Sequence, residues 1–132
     1  LINERCQATF DVASIEFGEN SFWVFQDIGY EIKCKLNNPV NELEDRLVQE
    51  GWNFSPFPEE MVKEILSDTA FRREMYQLNN STKSYWLYLD VDALRNGKKD
   101  DRMSAFQYRT PHYLVALYIP EDNVLYYLEC SI

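Results

Sequence analysis

Tyr30-Glu31-Ile32-Lys33-Cys34-Lys35-Leu36 alternates apolar and charged side chains without a break. That is the period of a strand with one face on a core and the other in water. Upstream, residues 8–17 and 21–25 are rich in Phe, Val, Ile and Trp, with Gly18-Glu19-Asn20 and Asp27-Ile28-Gly29 after them. β-favouring runs separated by turn formers predict a three-stranded meander. The apolar positions of the first run change face between Val12 and Ile15, which predicts a bulge or a bend.

The period then changes. Asn38-Pro39 offers a side-chain cap followed by proline at a first helical position, and Val40, Leu43, Leu47 and Val48 recur at helical spacing up to Gly51. Glu42, Glu44, Asp45 and Glu50 cover the opposite surface. Beyond the aromatic connector 52–57, Pro58-Glu59-Glu60 opens a second helix whose apolar positions are Met61, Val62, Ile65 and Leu66. Its leading acids suit the positive end of a helix dipole. Ser67-Asp68-Thr69 resets the cap for a third segment carrying Phe71, Met75, Tyr76 and Leu78.

Residues 84–89, 113–119 and 124–128 are apolar on both faces, as in strands covered above and below. Pro120-Glu121-Asp122-Asn123 forms a hairpin loop that pairs Ile119 with Val124. The order β-β-β-α-α-β-β-β predicts an α+β fold, a mainly antiparallel sheet with two or three helices packed on one face. A chain of 132 residues without a repeat or a compositional break reads as a single domain, 1–132.

Charge narrows the partners. With 22 acidic against 13 basic residues the formal charge is −9. This is the wrong sign for a nucleic-acid binder, which displaces counterions with Lys and Arg. No apolar run approaches the roughly 20 residues of a membrane helix. Three cysteines without a Cys-x-x-Cys pair read as free thiols in a reducing compartment, so a cytoplasmic location is expected.

One stretch invites a chemical reading. The run 85–89 ends in Asp90-Val91-Asp92, with Asp100 and Asp101 close behind. As an EF-hand loop it fails, because Leu94 and Arg95 fall where an oxygen ligand and the turn glycine are required. An apolar run ending in Asp-x-Asp resembles the opening motif of the haloacid dehalogenase superfamily, which would make Asp90 a nucleophile and Asp92 a general acid and base. The resemblance stops at the motif. Leu94 stands where that family has Thr or Val, and the 40 residues after Asp92 leave no room for a parallel α/β sheet. The stretch is better explained by architecture. Asp90 or Asp92 caps one turn through Ala93, Leu94 and Arg95, and Asn96-Gly97 closes it.

His112 is the only histidine, and Cys130 its candidate partner for a dyad. The hairpin register sets Tyr113 opposite Cys130, so His112 and Cys130 fall on opposite faces. Gly-rich phosphate loops, Gly-x-Ser-x-Gly and clustered His and Cys ligands do not occur, so no catalytic residue, metal or cofactor is expected. Twenty aromatics remain, nine of them Tyr, of the kind that anchor interfaces and line pockets, with Trp52, Phe54 and Phe57 in the connector.

Acidic helices, abundant aromatics and missing catalytic motifs together point to a non-enzymatic protein-binding domain. An immunity-type or inhibitory protein that engages a basic partner is the concrete example, with Glu42, Asp45, Glu59 and Glu60 as contacts. The alternative is a small-molecule or metal-binding domain, or a modest enzyme, with a pocket between sheet and helices whose polar groups are Asp90, Asp92 and His112.

Overall fold

The computed structural model describes residues 10–17, 23–24, 27–54, 56, 73–75, 77–78, 82–90 and 112–131. In chain order these form β1 (Val12–Phe17), β2 (Trp23–Val24), β3 (Asp27–Leu36), α1 (Val40–Gln49), β4 (Asn53–Phe54), β5 (Tyr85–Asp90), β6 (His112–Ile119) and β7 (Val124–Ser131). Residues 73–75 and 77–78 are also helical. The second predicted helix, with Glu59 and Glu60, and the predicted capped turn after Asp92 lie outside the described residues.

The strands make one seven-stranded sheet in the order β1-β3-β7-β6-β5-β4, with β2 also on β3. Every pairing among them is antiparallel. The fold is a sheet-rich α+β structure. Its element order departs from the expected one, because the two-residue β4 follows α1 before the chain reaches 73–78.

The central strands follow their sequence pattern. Ile119 pairs with Val124 and Tyr113 with Cys130, the register set by the loop at 120–123. Residues 113–119 of β6 and 124–129 of β7 are buried throughout, since both sides of the sheet are covered there. Among the described residues the expected meander does not form. β3 gives one edge to β7, from Ile28 to Lys35, and its other edge to β2 and β1 in tandem. The expected bulge is present, as a register shift between Val12 and Ser14 that returns Ile15 to the face of Val12.

The expectation that the helices share one face is overturned. Leu43 and Leu47 of α1 pack with Phe10, Cys34, Trp52, Leu87, Ala116, Tyr118 and Leu125 on the first face. Met75 instead packs with Trp86, Tyr88, Val115, Leu117, Tyr126 and Leu128 on the second, where Leu78 is partly buried. Strands that are apolar on both faces must be covered on both, and one layer of helices covers only one.

Two details of α1 also differ from expectation. Pro39 takes the N-cap position, and the Asn38 side chain instead accepts a hydrogen bond from the Asp11 backbone N–H at 2.7 Å. Val48 is 60% exposed rather than buried. Leu43 and Leu47, one turn apart, aim at the sheet, and Val48 is rotated about 100° away from Leu47. Gly51 terminates the helix in the left-handed region at φ 83, with the Trp52 N–H donating to the Leu47 carbonyl.

Candidate functional site

The outward surface of α1 is the first candidate. Its apolar stripe fixes the helix on the sheet, and this leaves Glu42, Asp45, Arg46, Gln49 and Glu50 exposed. Asn123 secures the start of the helix. It sits in the left-handed region at φ 52, where Asn is among the better tolerated residues. Its Nδ2 donates to the carbonyls of Leu36 and Asn38, each at 3.0 Å, while its Oδ1 accepts from the Tyr118 hydroxyl at 2.6 Å. The β6–β7 turn is thereby tied to the end of β3 and the entry to α1. Burial, and then the negative charge of Glu44, push the Tyr118 hydroxyl up to about 12.

Glu42 and Asp45 line a depression of about 340 Å³ on this surface, with Asn38, Pro39, Arg46 and Gln49. The ion pairs among the described residues are Lys33–Glu74 and Lys83–Glu44, and neither uses Glu42 or Asp45. On the other flank of the helix, Glu44 accepts from Lys83 Nζ at 3.2 Å. The same ammonium lies 5.8 Å from the Tyr85 ring centre. Tyr85 in turn meets Phe54 edge to face, with centroids 5.4 Å apart. Phe54 is 58% exposed, whereas Trp52 is buried and packs edge to face on Phe10. Of the connector aromatics, Trp52 is therefore a core residue and Phe54 a surface residue, and Phe57 lies outside the described residues.

The second face carries a different arrangement. Tyr126 donates its hydroxyl to Glu74 Oε1, and Lys33 Nζ reaches the same oxygen at 3.0 Å. The ammonium also stands 5.4 Å from the Tyr126 ring centre. Burial opposes ionisation of Glu74, but the hydrogen bonds from Tyr126 and Lys33 and the lysine charge outweigh it and hold the carboxyl below its ordinary value. Burial, reinforced by the Glu74 hydrogen bond, pushes the Tyr126 hydroxyl well above the usual tyrosine range. A groove of about 270 Å³ runs beside the cluster, floored by Ile119, Val124 and Tyr126 and rimmed by Lys35 and Asp122.

Sequence reasoning missed this cluster because its members are 41 and 52 positions apart. The available signal was a lysine facing an aromatic across paired strands, Lys33 opposite Tyr126. It missed two buried carboxylates as well. Glu31, 2% exposed, sits on the charged side of the β3 alternation and so belongs to a covered surface rather than a wet one. Glu129, 3% exposed, accepts from the Tyr127 hydroxyl at 2.6 Å.

Of the residues proposed for a pocket, Asp90 and His112 are described, and their strand positions fall on different faces of the sheet. Asp90 ends β5 half-buried and pairs with Tyr113, so its position belongs to the second face. His112 begins β6 opposite Ser131, one residue from Tyr113, and its position belongs to the first face. Asp92 lies outside the described residues. The pairing of Tyr113 with Cys130 likewise puts the His112 and Cys130 positions on opposite faces. Cys34 is fully buried, and that burial pushes its thiol up to about 11, the opposite of what a thiolate nucleophile needs.

Among the described residues no three His, Cys, Asp or Glu side chains gather as a metal site, and no helix is long and apolar enough to cross a membrane. Comparison with protein-family models, with characterised proteins and with solved structures finds no match to this chain.

Proposed function

We propose that this chain is a protein-binding domain that engages a basic partner through the outer surface of α1, in the manner of an immunity-type or inhibitory protein. One observation carries the reading. Glu42 and Asp45 are exposed, line one depression and take no part in the ion pairs among the described residues. Carboxylates that do not hold the fold together are available to steer and grip a cationic surface. The formal charge of −9 extends the attraction beyond contact distance. Glu59 and Glu60 are further contacts proposed from the sequence.

Retention of proteins from a native lysate at low and at high salt tests the proposal, with wild type and a charge reversal of Glu42, Asp45, Glu59 and Glu60 run side by side. A basic protein held by wild type at low salt, weakened by salt and lost by the reversed variant is the expected result. Equal retention by both forms would refute the reading.

A further inference from the structure

The acidic surface is bordered by an apolar ledge, and the geometry points to that ledge as the anchor of the same interface, receiving an apolar side chain of the partner that has Lys or Arg beside it. This inference rests on the proposed function and adds the chemistry of the partner.

Val48 and Phe54 are, with Ile15, the exposed large hydrophobic residues of the described surface, at 60% and 58%. They lie on the same side of the sheet. Phe54 pairs with Tyr85, whose ring belongs to the core that α1 covers, and Val48 is one helical turn beyond Glu44. Glu44 is connected to Phe54 through Lys83 and Tyr85, by 3.2, 5.8 and 5.4 Å steps. Val48 therefore stands on the α1 flank and Phe54 at the sheet margin, where β4 is the last strand among the described residues, with Glu44, Lys83 and Tyr85 linking the two regions.

Charge selects the occupant. On α1, Glu44 and Asp45 lie one turn before Val48 on its flank, and Lys83 is already held by Glu44. An acidic segment docking on Val48 and Phe54 would bring its charge against these carboxylates, whereas a basic one would be drawn to them. The chain itself twice sets an ammonium over a tyrosine ring beside a carboxylate, at Lys83–Tyr85–Glu44 and at Lys33–Tyr126–Glu74. A partner cation over Phe54 would repeat that arrangement. An interface of ordinary size, roughly 800 Å² per partner, spans both flanks of a short helix. One partner therefore covers the acids and the ledge together.

Two synthetic peptides of equal charge test this, one of Lys and Leu residues and one of Lys alone, titrated by fluorescence anisotropy against the whole chain. Phe54→Ser and Val48→Ser each alter an exposed side chain, and agreement between a sheet-margin and a helix variant guards against a local folding defect. The Lys/Leu peptide should bind wild type more tightly than the Lys peptide and lose about tenfold in Kd with either Ser variant, as for an apolar anchor. The Lys peptide should be indifferent to Val48→Ser and lose less than the Lys/Leu peptide with Phe54→Ser. Glu42→Lys with Asp45→Lys should weaken both peptides. If the Ser variants leave the Lys/Leu peptide unchanged while the charge reversal weakens it, the ledge is overturned and the acidic reading stands. If the charge reversal weakens neither peptide, the acidic reading falls, and this inference with it. A concentration-dependent dimer that Phe54→Ser dissolves would assign the ledge to a second copy of the chain and overturn the inference.

Discussion

The two faces of the sheet are closed in different ways. On the first, α1 is seated by Leu43 and Leu47, which go into an apolar core, and Glu42, Asp45 and Glu50 are exposed. On the second, Met75 supplies apolar contact, but the carboxylate one residue before it turns inward to Lys33 and Tyr126. Glu74 is committed to holding the structure, and Glu42 and Asp45 are not. A helix seated mainly by its apolar stripe, with Glu44 the one acid of α1 in an ion pair among the described residues, is insensitive to the charge of the rest of its outer face, so that face is open to selection for binding.

The strongest way to break the comparison is to empty the apolar seat. Leu47→Ala removes a fully buried side chain and should cost about 3 kcal/mol by denaturant titration, with little dependence on salt. A loss below about 1 kcal/mol would mean that α1 is not held by its leucines.

Asn123→Ala should follow at about 2 kcal/mol, since it removes the donor to two carbonyls, strands the Tyr118 hydroxyl and puts Ala in the left-handed region. Asn123→Gly keeps the backbone freedom and loses the hydrogen bonds, so the difference between the two variants separates the causes.

The second face should answer to pH. Glu74 holds its proton less tightly in the folded chain than its ordinary value of 4.5, so its contribution is complete above that value and fades as pH falls below it. Glu74→Gln should cost about 1 kcal/mol or less near neutrality, because the pair is partly open to water, and should flatten the acid limb of the stability profile. Tyr118 behaves in the opposite sense. Its folded value of about 12 lies above the ordinary 10.0, so its contribution is complete below 10.0 and fades as pH rises toward about 12. Spectrophotometric titration should show a tyrosine ionising late, and Tyr118→Phe should remove it.

The pattern of the chain discloses the parts of the fold that depend on neighbours in sequence. A loop at 120–123 sets the β6–β7 register, and a change of face between Val12 and Ile15 marks the bulge. The inward stripe of α1 is visible at Leu43 and Leu47, though Val48 shares their chemistry and not their direction. Which helix covers which face is not visible, because strands apolar on both sides accept a helix on either. Pairing at a distance is also hidden. Lys33 and Glu31 look alike as charged positions in one alternation, and tertiary neighbours alone make one a partner of Glu74 and bury the other. Of the candidate contacts, the exposure of Glu42 and Asp45 follows from helical period, whereas the exposure of Phe54 beside a buried Trp52 depends on where the sheet ends.

The smallest stability effect is expected where the functional effect is largest. Glu42→Lys with Asp45→Lys should leave folding stability within about 0.5 kcal/mol of wild type, as surface substitutions away from structural partners do. The most direct measurement joins the two quantities, titrating a captured basic partner against wild type and this double variant after their melting curves have been matched. Superimposed melting is expected, with a loss of affinity of at least about tenfold that shrinks as salt is raised. Unchanged affinity at matched stability would contradict the acidic reading.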